Sequence, residues 1–387
     1  MKVFHVLNHF LPQQIAGTEV YVRALVKCLM EAATVEEVKV VIPNYGSNKN
    51  NYYVYDGIPV IQYAEPSIAD RLLIMDKRKP DGLDSFVNLL NSEKPAIVHF
   101  HEMAGSNGVS YHHVTAAKNS GAKVLMTFHL AANTCRTGTL LYKEKDFCNG
   151  VIDEHKCTAC HLHSAGYGNL TPFLLPLSVF LYKMKIDTTN WDSRAGTALG
   201  GVFTTHLFQE RFNTLVQHCD KVVVLTAWYK DVLLANGVPA GKIIYIPQAL
   251  PYDAKPVITG TYKNGHSVKL VFLGRISPFK GLHLLIDALR FFSEEEISLD
   301  IYGQAQDKVY EEQCRHQTKE KKNIHWKGVL SQAEVVPALM QYDALCLCST
   351  LSEMSPLVIQ EAFAAGIPVI ASNVYGNAEQ IVHDQNG

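Results

Sequence analysis

The sequence predicts an α/β protein with two domains, each built on a mostly parallel sheet. Apolar runs of strand length alternate with helical segments from Lys2 to Ser372, the pattern of parallel sheets flanked by helices. A chain of 387 residues is too long for one typical core, so two domains are the default. Residues 251–266 are rich in proline, glycine and polar side chains and predict a linker. We expect domains over 1–250 and 267–387.

The first domain is predicted to hold seven strands, at 2–8, 38–42, 59–63, 96–101, 123–128, 220–225 and 242–247. Gly17 ends the loop after the first strand and Thr18 is expected to cap the next helix, whose free N–H groups could meet an anion. A purely structural turn is the alternative. His99 and His101 alternate along a strand and therefore point to one face.

His129 follows directly after the strand at 123–128. Binding groups collect at the carboxyl ends of strands in open α/β sheets, so His129 is a candidate site residue. The alternative is a hydrogen-bonded structural histidine.

Four cysteines lie in a loop-rich insertion at about 133–164: Cys135, Cys148, Cys157 and Cys160. One CxxC pair and two further thiolates are enough for a closed tetrahedral zinc site, although the spacing is not that of a standard zinc ribbon. One of the neighbouring histidines could replace a ligand: His155, His161 or His163. Free thiols and a redox-sensitive disulfide are the alternatives. A catalytic metal is not expected, because four cysteines leave no open position.

The stretch 170–186 is apolar and carries Lys183 and Lys185 at its end. It could lie on a membrane surface and help reach a lipid-linked acceptor, with a core helix as the alternative. The first residues are too short and polar for a signal peptide, so we expect a cytoplasmic protein, at the inner face of the membrane if this stretch binds lipid. A net charge of −2 gives no electrostatic reason to propose nucleic acid as a partner.

The second domain opens with a strand at 268–274, and the loop that follows carries Arg275 and Lys280. Two cations beside a helix N-terminus suit a diphosphate, because arginine binds oxygens in pairs and lysine adds a mobile charge. Two solvated surface cations are the alternative.

Residues 342–372 are predicted to form strand, loop, helix and strand, with Glu353 in the loop and Glu361 in the helix. Ser355 can cap this helix, and Gly366 can end it. A helix that is apolar nearly all round is buried, so Glu361 is expected to face a cleft or a narrow exposed strip. Both carboxylates could then face one cleft at the carboxyl ends of the strands.

These residues together resemble the family-4 retaining glycosyltransferases of the GT-B fold (glycosyl transferases group 1). The resemblance rests on the Gly17 loop, Thr127 to His129, Gly274 to Gly281, and the two glutamates eight positions apart. It implies two Rossmann-like domains facing a central cleft. The second domain, over 267–387, is expected to lack the last helices of the family.

The resemblance also implies roles for individual residues. Arg275 and Lys280 would hold the donor diphosphate without a divalent metal, Glu353 would lie near the transferred sugar, and Glu361 would bind the ribose. His129 would lie beside the reacting sugar and Gly17 under the phosphates. Two more residues at the start of the predicted helix are expected to contact the donor: Ser355 and Leu357.

The implied activity is transfer of a sugar, with retention, from a nucleotide-diphosphate donor to a glycan or lipid-linked acceptor, in surface or exopolysaccharide synthesis. No cofactor is required for that catalysis. The alternatives are a nucleotide-sugar 2-epimerase and a nucleotide-sugar-binding protein without transfer activity. Met354 and Ser355 stand where the family commonly has Gly-Phe, which keeps the last alternative open.

Overall fold

The structure is a computed structural model that describes residues 1–66, 70–103, 108–250 and 267–387. The chain divides into two compact units, Met1–Ile246 and Pro247–Gly387. The predicted linker, 251–266, lies outside the described residues.

Unit 1 contains ten strands and nine α-helices in its described part. The strands are β1 (Lys2–Val6), β2 (Glu37–Tyr45), β3 (Asn51–Tyr55), β4 (Ile58–Glu65), β5 (Ile97–His101), β6 (Lys123–Phe128), β7 (Leu141–Tyr142), β8 (Asp146–Phe147), β9 (Lys221–Val224) and β10 (Ile243–Tyr245). The helices are α1 (Gly17–Met30), α2 (Arg71–Ile74), α3 (Leu83–Glu93), α4 (Tyr111–Asn119), α5 (Glu154–Leu162), α6 (Thr171–Lys183), α7 (Arg194–Leu199), α8 (Gly201–His218) and α9 (Ala227–Ala235).

The main sheet of unit 1 has the order β10-β9-β6-β5-β1-β2-β4-β3. All its neighbours are parallel except β3, which pairs antiparallel with β4. The strand order reverses between β1 and β5, and crevices at such a reversal are where ligands bind in open α/β sheets. The seven strands predicted from the sequence are all present in this sheet, which confirms them. The edge strand β3 was not predicted.

Unit 2 contains five strands and five α-helices among its described residues. They are β11 (Val268–Leu273), α10 (Leu282–Ala288), β12 (Ile297–Tyr302), α11 (Lys308–Thr318), β13 (Ile324–Gly328), α12 (Gln332–Leu339), β14 (Ala344–Leu347), α13 (Leu357–Ala364), β15 (Val369–Ala371) and α14 (Tyr375–Gln380). The sheet order is β13-β12-β11-β14-β15, with parallel neighbours throughout. This is a doubly wound order that reverses between β11 and β14. Apolar clusters cover both faces of the sheet.

Three local predictions were wrong. Helix α1 begins at Gly17 with Ala16 as its N-cap, so Thr18 does not cap it. Helix α13 has Pro356 as its N-cap rather than Ser355. The stretch 133–164, predicted to be loop-rich, contains the whole of α5, capped by Asp153. Its pattern was hard to detect because two of its three buried positions, Thr158 and Ala159, are not large apolar residues.

Candidate functional site

The ends of β11 and β14 bring two predicted site residues of unit 2 together. Lys280 lies in the turn after β11 and Glu353 in the loop after β14, and these strands are neighbours in the sheet. The Lys280 ammonium pairs with Glu353 Oε1, which also accepts a 2.6 Å hydrogen bond from the Ser349 hydroxyl. Both charged side chains are largely buried, at 15% and 12% exposure. The pair lies where the strand order reverses, as expected for a ligand site.

Two glycines fix the loops that carry this pair. Gly281 has a φ of +68°, and a Cβ there would lie 2.0 Å from the Cys348 carbonyl oxygen. A Cβ on Gly376 would lie 1.8 Å from the Met354 carbonyl oxygen, and the Gly376 N–H donates to the Glu353 carbonyl at 2.9 Å. Only glycine permits both close approaches. The backbone on either side of the Lys280–Glu353 pair is therefore closely packed.

The other predicted donor-site residues of unit 2 follow β11 or lie in α13 and just before it, whereas Gly17 begins α1 in unit 1. Arg275 follows β11, is exposed, and has no ion-pair partner among the residues that the structure describes. Ser355 and Leu357 flank the start of α13, and Glu361 lies half-buried within it. Gly366, in the left-handed region with a φ of +74°, follows the end of α13 as predicted.

In unit 1, His129 is the end of a chain of hydrogen-bonded histidines. His129 Nε2 lies 3.3 Å from His101 Nδ1, and His101 Nε2 lies 2.9 Å from His5 Nδ1. The rings of His99 and His101 are 4.1 Å apart, which confirms that both point to one face. His99 Nε2 also shares a 2.7 Å hydrogen bond with the Thr127 hydroxyl.

Burial keeps these histidines neutral. It lowers the pKa of His129 to about 3, with a contribution from His99, and the pKa of His99 to about 4. The pKa values of His5 and His101 are also lowered well below the ordinary value, first by burial. Each neutral ring has one N–H to donate.

The positions of the protons along this row of histidines follow from His5, at its inner end. His5 Nε2 is buried without a hydrogen-bond partner among the described residues. An orphaned N–H is rarer than an orphaned acceptor, which favours a proton on His5 Nδ1 rather than Nε2. His5 then donates to His101, which donates to His129 Nε2. His129 is left with Nδ1–H as a donor for a ligand.

Glu102 is a candidate site residue that the sequence analysis missed. It follows β5 with a φ of +59° and is 8% exposed. Its Oε2 accepts the backbone N–H groups of His129 (3.1 Å) and Leu130 (2.8 Å), and its Oε1 accepts the Asn133 amide at 2.8 Å. Burial raises the pKa of Glu102 to about 7 despite these donors. The available signal was a carboxylate directly after a buried strand, the same position that singled out His129.

A cavity of about 570 Å³ lies within unit 1, and Glu102 lines it. One wall is apolar and comprises Leu73, Ile74, Leu207, Phe208, Phe212 and Leu215. The polar lining includes Asp76, Arg136, His161 and Arg211. Asp76 accepts a hydrogen bond from the Tyr111 hydroxyl and lies 3.6 Å from Arg211 Nε. The volume and mixed lining are those of a small-ligand site.

The four cysteines of the insertion line a separate small cavity, together with Arg136 and His161. None of the four forms a disulfide. The structure therefore brings the predicted metal ligands to one place.

Helix α6 and its C-cap, Met184, expose a stripe of apolar side chains. Phe173, Leu177, Phe180 and Met184 follow a spacing of four, three and four residues and are 76%, 44%, 57% and 58% exposed. Its buried residues are Thr171 and Ser178. The core-helix interpretation of 170–186 is therefore wrong. Among the described helices, none is both long enough and apolar enough to cross a membrane.

Comparison with known proteins identifies the family that the second unit matches. Residues 260–387 match the family Glycosyl transferases group 1. The phosphatidyl-myo-inositol mannosyltransferase of Mycobacterium leprae is 32% identical over 138 residues, which cover 34% of this chain and 35% of that protein. Spore coat protein SA of Bacillus subtilis is 30% identical over 134 residues, 32% of this chain and 35% of that protein. The chain thus spans about a third of the length of these relatives.

Solved structures match nearly the whole chain. Anabaena HepE in complex with UDP and glucose has a TM-score of 0.59 at 14% identity, covering 100% of this chain and 84% of that one. The lipopolysaccharide outer core galactosyltransferase WaaB, in its apo form, has a TM-score of 0.59 at 17% identity, covering 100% and 85%. At these identities the likeness shows the fold. The prediction of a GT-B fold with two Rossmann-like domains is confirmed.

Proposed function

We propose that the chain is a retaining glycosyltransferase that moves a hexose from a nucleotide-diphosphate donor to a glycan or lipid-linked acceptor, in surface or exopolysaccharide synthesis. One observation carries the proposal: Lys280 and Glu353 meet at the strand-order reversal of unit 2. They do so within the segment that matches Glycosyl transferases group 1. The HepE structure with UDP and glucose supports a nucleotide-sugar donor by analogy.

The proposed contacts with the donor come from residues at the edge of the unit 2 sheet where Lys280 and Glu353 lie. Breaking the bond between sugar and phosphate builds negative charge on the leaving diphosphate. Arg275, exposed and unpaired among the described residues, and Lys280 would stabilise that charge. Glu353 would orient Lys280 and face the sugar, while Glu361 would bind the ribose. The backbone at Ser355 and Leu357, at the start of α13, would add N–H donors.

The cavity of unit 1 is proposed to bind the acceptor. Glu102 lines it and holds the backbone N–H of His129, so the cavity lies next to the proposed reaction centre of that unit. A neutral His129 would donate Nδ1–H to a sugar hydroxyl. The apolar wall would suit an acceptor with a hydrocarbon portion. The role of Gly17 under the phosphates stays a prediction; a Cβ there would meet nothing within 4 Å, so the fold itself does not require glycine.

Incubation with a panel of nucleotide sugars and candidate acceptors tests the activity. We expect nucleoside diphosphate release coupled to sugar transfer, with the product keeping the anomeric configuration of the donor when followed by NMR. An inverted product would contradict retention. An epimerised nucleotide sugar would support the 2-epimerase instead, and donor binding without turnover would support a binding protein.

Helix α6 is proposed to bind the surface of an anionic membrane. Its exposed apolar stripe ends beside the exposed Lys183 and Lys185, and residues 155–186 contain no acidic side chain. Replacing both Phe173 and Phe180 with serine is expected to weaken sedimentation with anionic vesicles by about tenfold or more, because two inserted aromatic rings are lost.

The matched control for the vesicle experiment is Phe291→Ser, which removes an 88% exposed phenylalanine of unit 2. Its vesicle binding should equal that of the unmodified protein. Equal losses in both variants, or no vesicle binding by the unmodified protein, would contradict the membrane role.

A further inference from the structure

The four cysteines reach one cavity from three separate backbone segments. Cys157 and Cys160 lie three residues apart on one face of α5. Cys135 and Cys148 lie on either side of the β7–β8 hairpin, and the Cys148 N–H donates to the Leu140 carbonyl at 2.9 Å. Packing in an apolar core does not explain why the four cysteines converge, because the residues around the thiols include many polar side chains.

Backbone N–H groups point at three of the four sulfurs. Leu140 N–H donates to Cys135 Sγ at 3.4 Å, Lys143 N–H to Cys160 Sγ at 3.3 Å, and Asp153 N–H to Cys157 Sγ at 3.4 Å. A thiol sulfur is a weak acceptor, whereas a thiolate is stabilised by hydrogen bonds to its charge. As neutral thiols, Cys160 and Cys157 can instead donate to the Leu141 and Val151 carbonyls, at 3.5 and 4.0 Å. As thiolates, they would keep the backbone N–H groups as donors.

A half-buried arginine beside the thiols has no carboxylate partner among the described residues. Arg136 hydrogen-bonds the hydroxyls of Thr205 (2.8 Å) and Thr204 (2.9 Å) and the Gly201 carbonyl (3.4 Å). No carboxylate pairs with it in the described ranges of the chain. A buried cation normally requires a counter-charge. Four thiolates around a divalent metal leave a net negative charge that would supply it.

We propose that Cys135, Cys148, Cys157 and Cys160 bind one structural zinc ion. Arg136 balances the charge of the cluster. Arg136 and His161 line both the cysteine cavity and the 570 Å³ cavity, so the ion would hold a wall of the larger cavity in place. The site would thus order the insertion without taking part in chemistry.

Metal binding should draw the sulfurs together. The four sulfurs are spread too widely for all of them to lie within 4.8 Å of one another. Among the described residues, His5, His99 and His101 are the group of potential ligands that meets this distance. Tetrahedral zinc with Zn–S distances of about 2.3 Å needs sulfurs about 3.8 Å apart. The insertion should therefore become more compact and more protected when zinc binds.

Elemental analysis of purified protein tests the proposal. We expect about one zinc per chain, falling below about a tenth in Cys157→Ser, while Cys28→Ser and Cys348→Ser keep the metal because they lie outside the cluster. Cobalt substitution should give the absorption of thiolate-to-cobalt charge transfer and of a tetrahedral ion. Hydrogen exchange of 133–164 should rise after chelation.

Because Cys157→Ser could also disturb folding, thiol counting on the unmodified protein provides a second measurement. Four thiols should become reactive together with zinc release. A folded, metal-free protein that takes up no zinc or cobalt would overturn the proposal. So would a disulfide between two of the four cysteines in peptide mapping without reductant.

Discussion

Replacing Lys280 with alanine is expected to lower kcat/KM for the donor by about two to three orders of magnitude, because it removes a cation from the developing charge of the leaving diphosphate. The Lys280 ammonium is largely buried and already pairs with Glu353, so it is held in position before the donor arrives. A charge held in advance in a partly dehydrated site stabilises a transition state more than a mobile surface charge does. Donor binding should weaken as well.

The Lys280 variant needs a structural control, since it leaves the Glu353 carboxylate with the Ser349 hydroxyl as its described side-chain partner. Removing one member of a buried ion pair lowers stability. Thermal melting should therefore be measured for each variant, and kcat/KM determined well below the transition. Lys269→Ala removes an exposed lysine from β11 in the same unit and should keep full activity. Unchanged kcat/KM in Lys280→Ala would place the diphosphate elsewhere.

The candidate donor site of unit 2 could be predicted because its determinants are local. The turn after β11 and the loop after β14 can each be recognised in the sequence as charged residues that follow an apolar strand. A parallel sheet places both loops at one edge. The direct pairing of Lys280 with Glu353 required the knowledge that β11 and β14 are neighbours. Sheet order depends on contacts between distant segments, which periodicity does not report.

The site in unit 1 was harder to predict for the same reason. Glu102 matters because Asn133 and the backbone after β6 converge on it. The cavity is lined by residues from widely separated parts of the chain, at 73–80, 102–103, 110–112, 132–136, 161 and 197–215. The exposed stripe of α6 was recognised as apolar, but which face it would bury depended on Ser178, whose hydroxyl accepts the Val202 N–H in the interior.

Replacing Glu102 with glutamine is expected to change how the stability of unit 1 depends on pH. The pKa of Glu102 is raised by burial from the ordinary 4.5 to about 7, so the folded state disfavours the carboxylate. A raised pKa gives stability that is fully present below the unfolded value and is lost as pH rises through the folded value. The unmodified protein should therefore lose about 2 to 3 kcal/mol relative to Glu102→Gln between about pH 5 and about pH 8.

Glutamine suits this test because it keeps an acceptor for the His129 and Leu130 N–H groups, and the Asn133 amide can turn to accept from it. Urea denaturation of both proteins at several pH values measures the difference. The buried histidines contribute with the opposite sign, since a lowered pKa favours the folded state at higher pH, but they are common to both proteins and cancel. Glu36→Gln changes an exposed position, so its free energy of unfolding should vary with pH in parallel with that of the unmodified protein. If the Glu102→Gln curve is parallel too, the Glu102 carboxyl does not titrate near neutral pH, and its place beside His129 has no acid–base consequence.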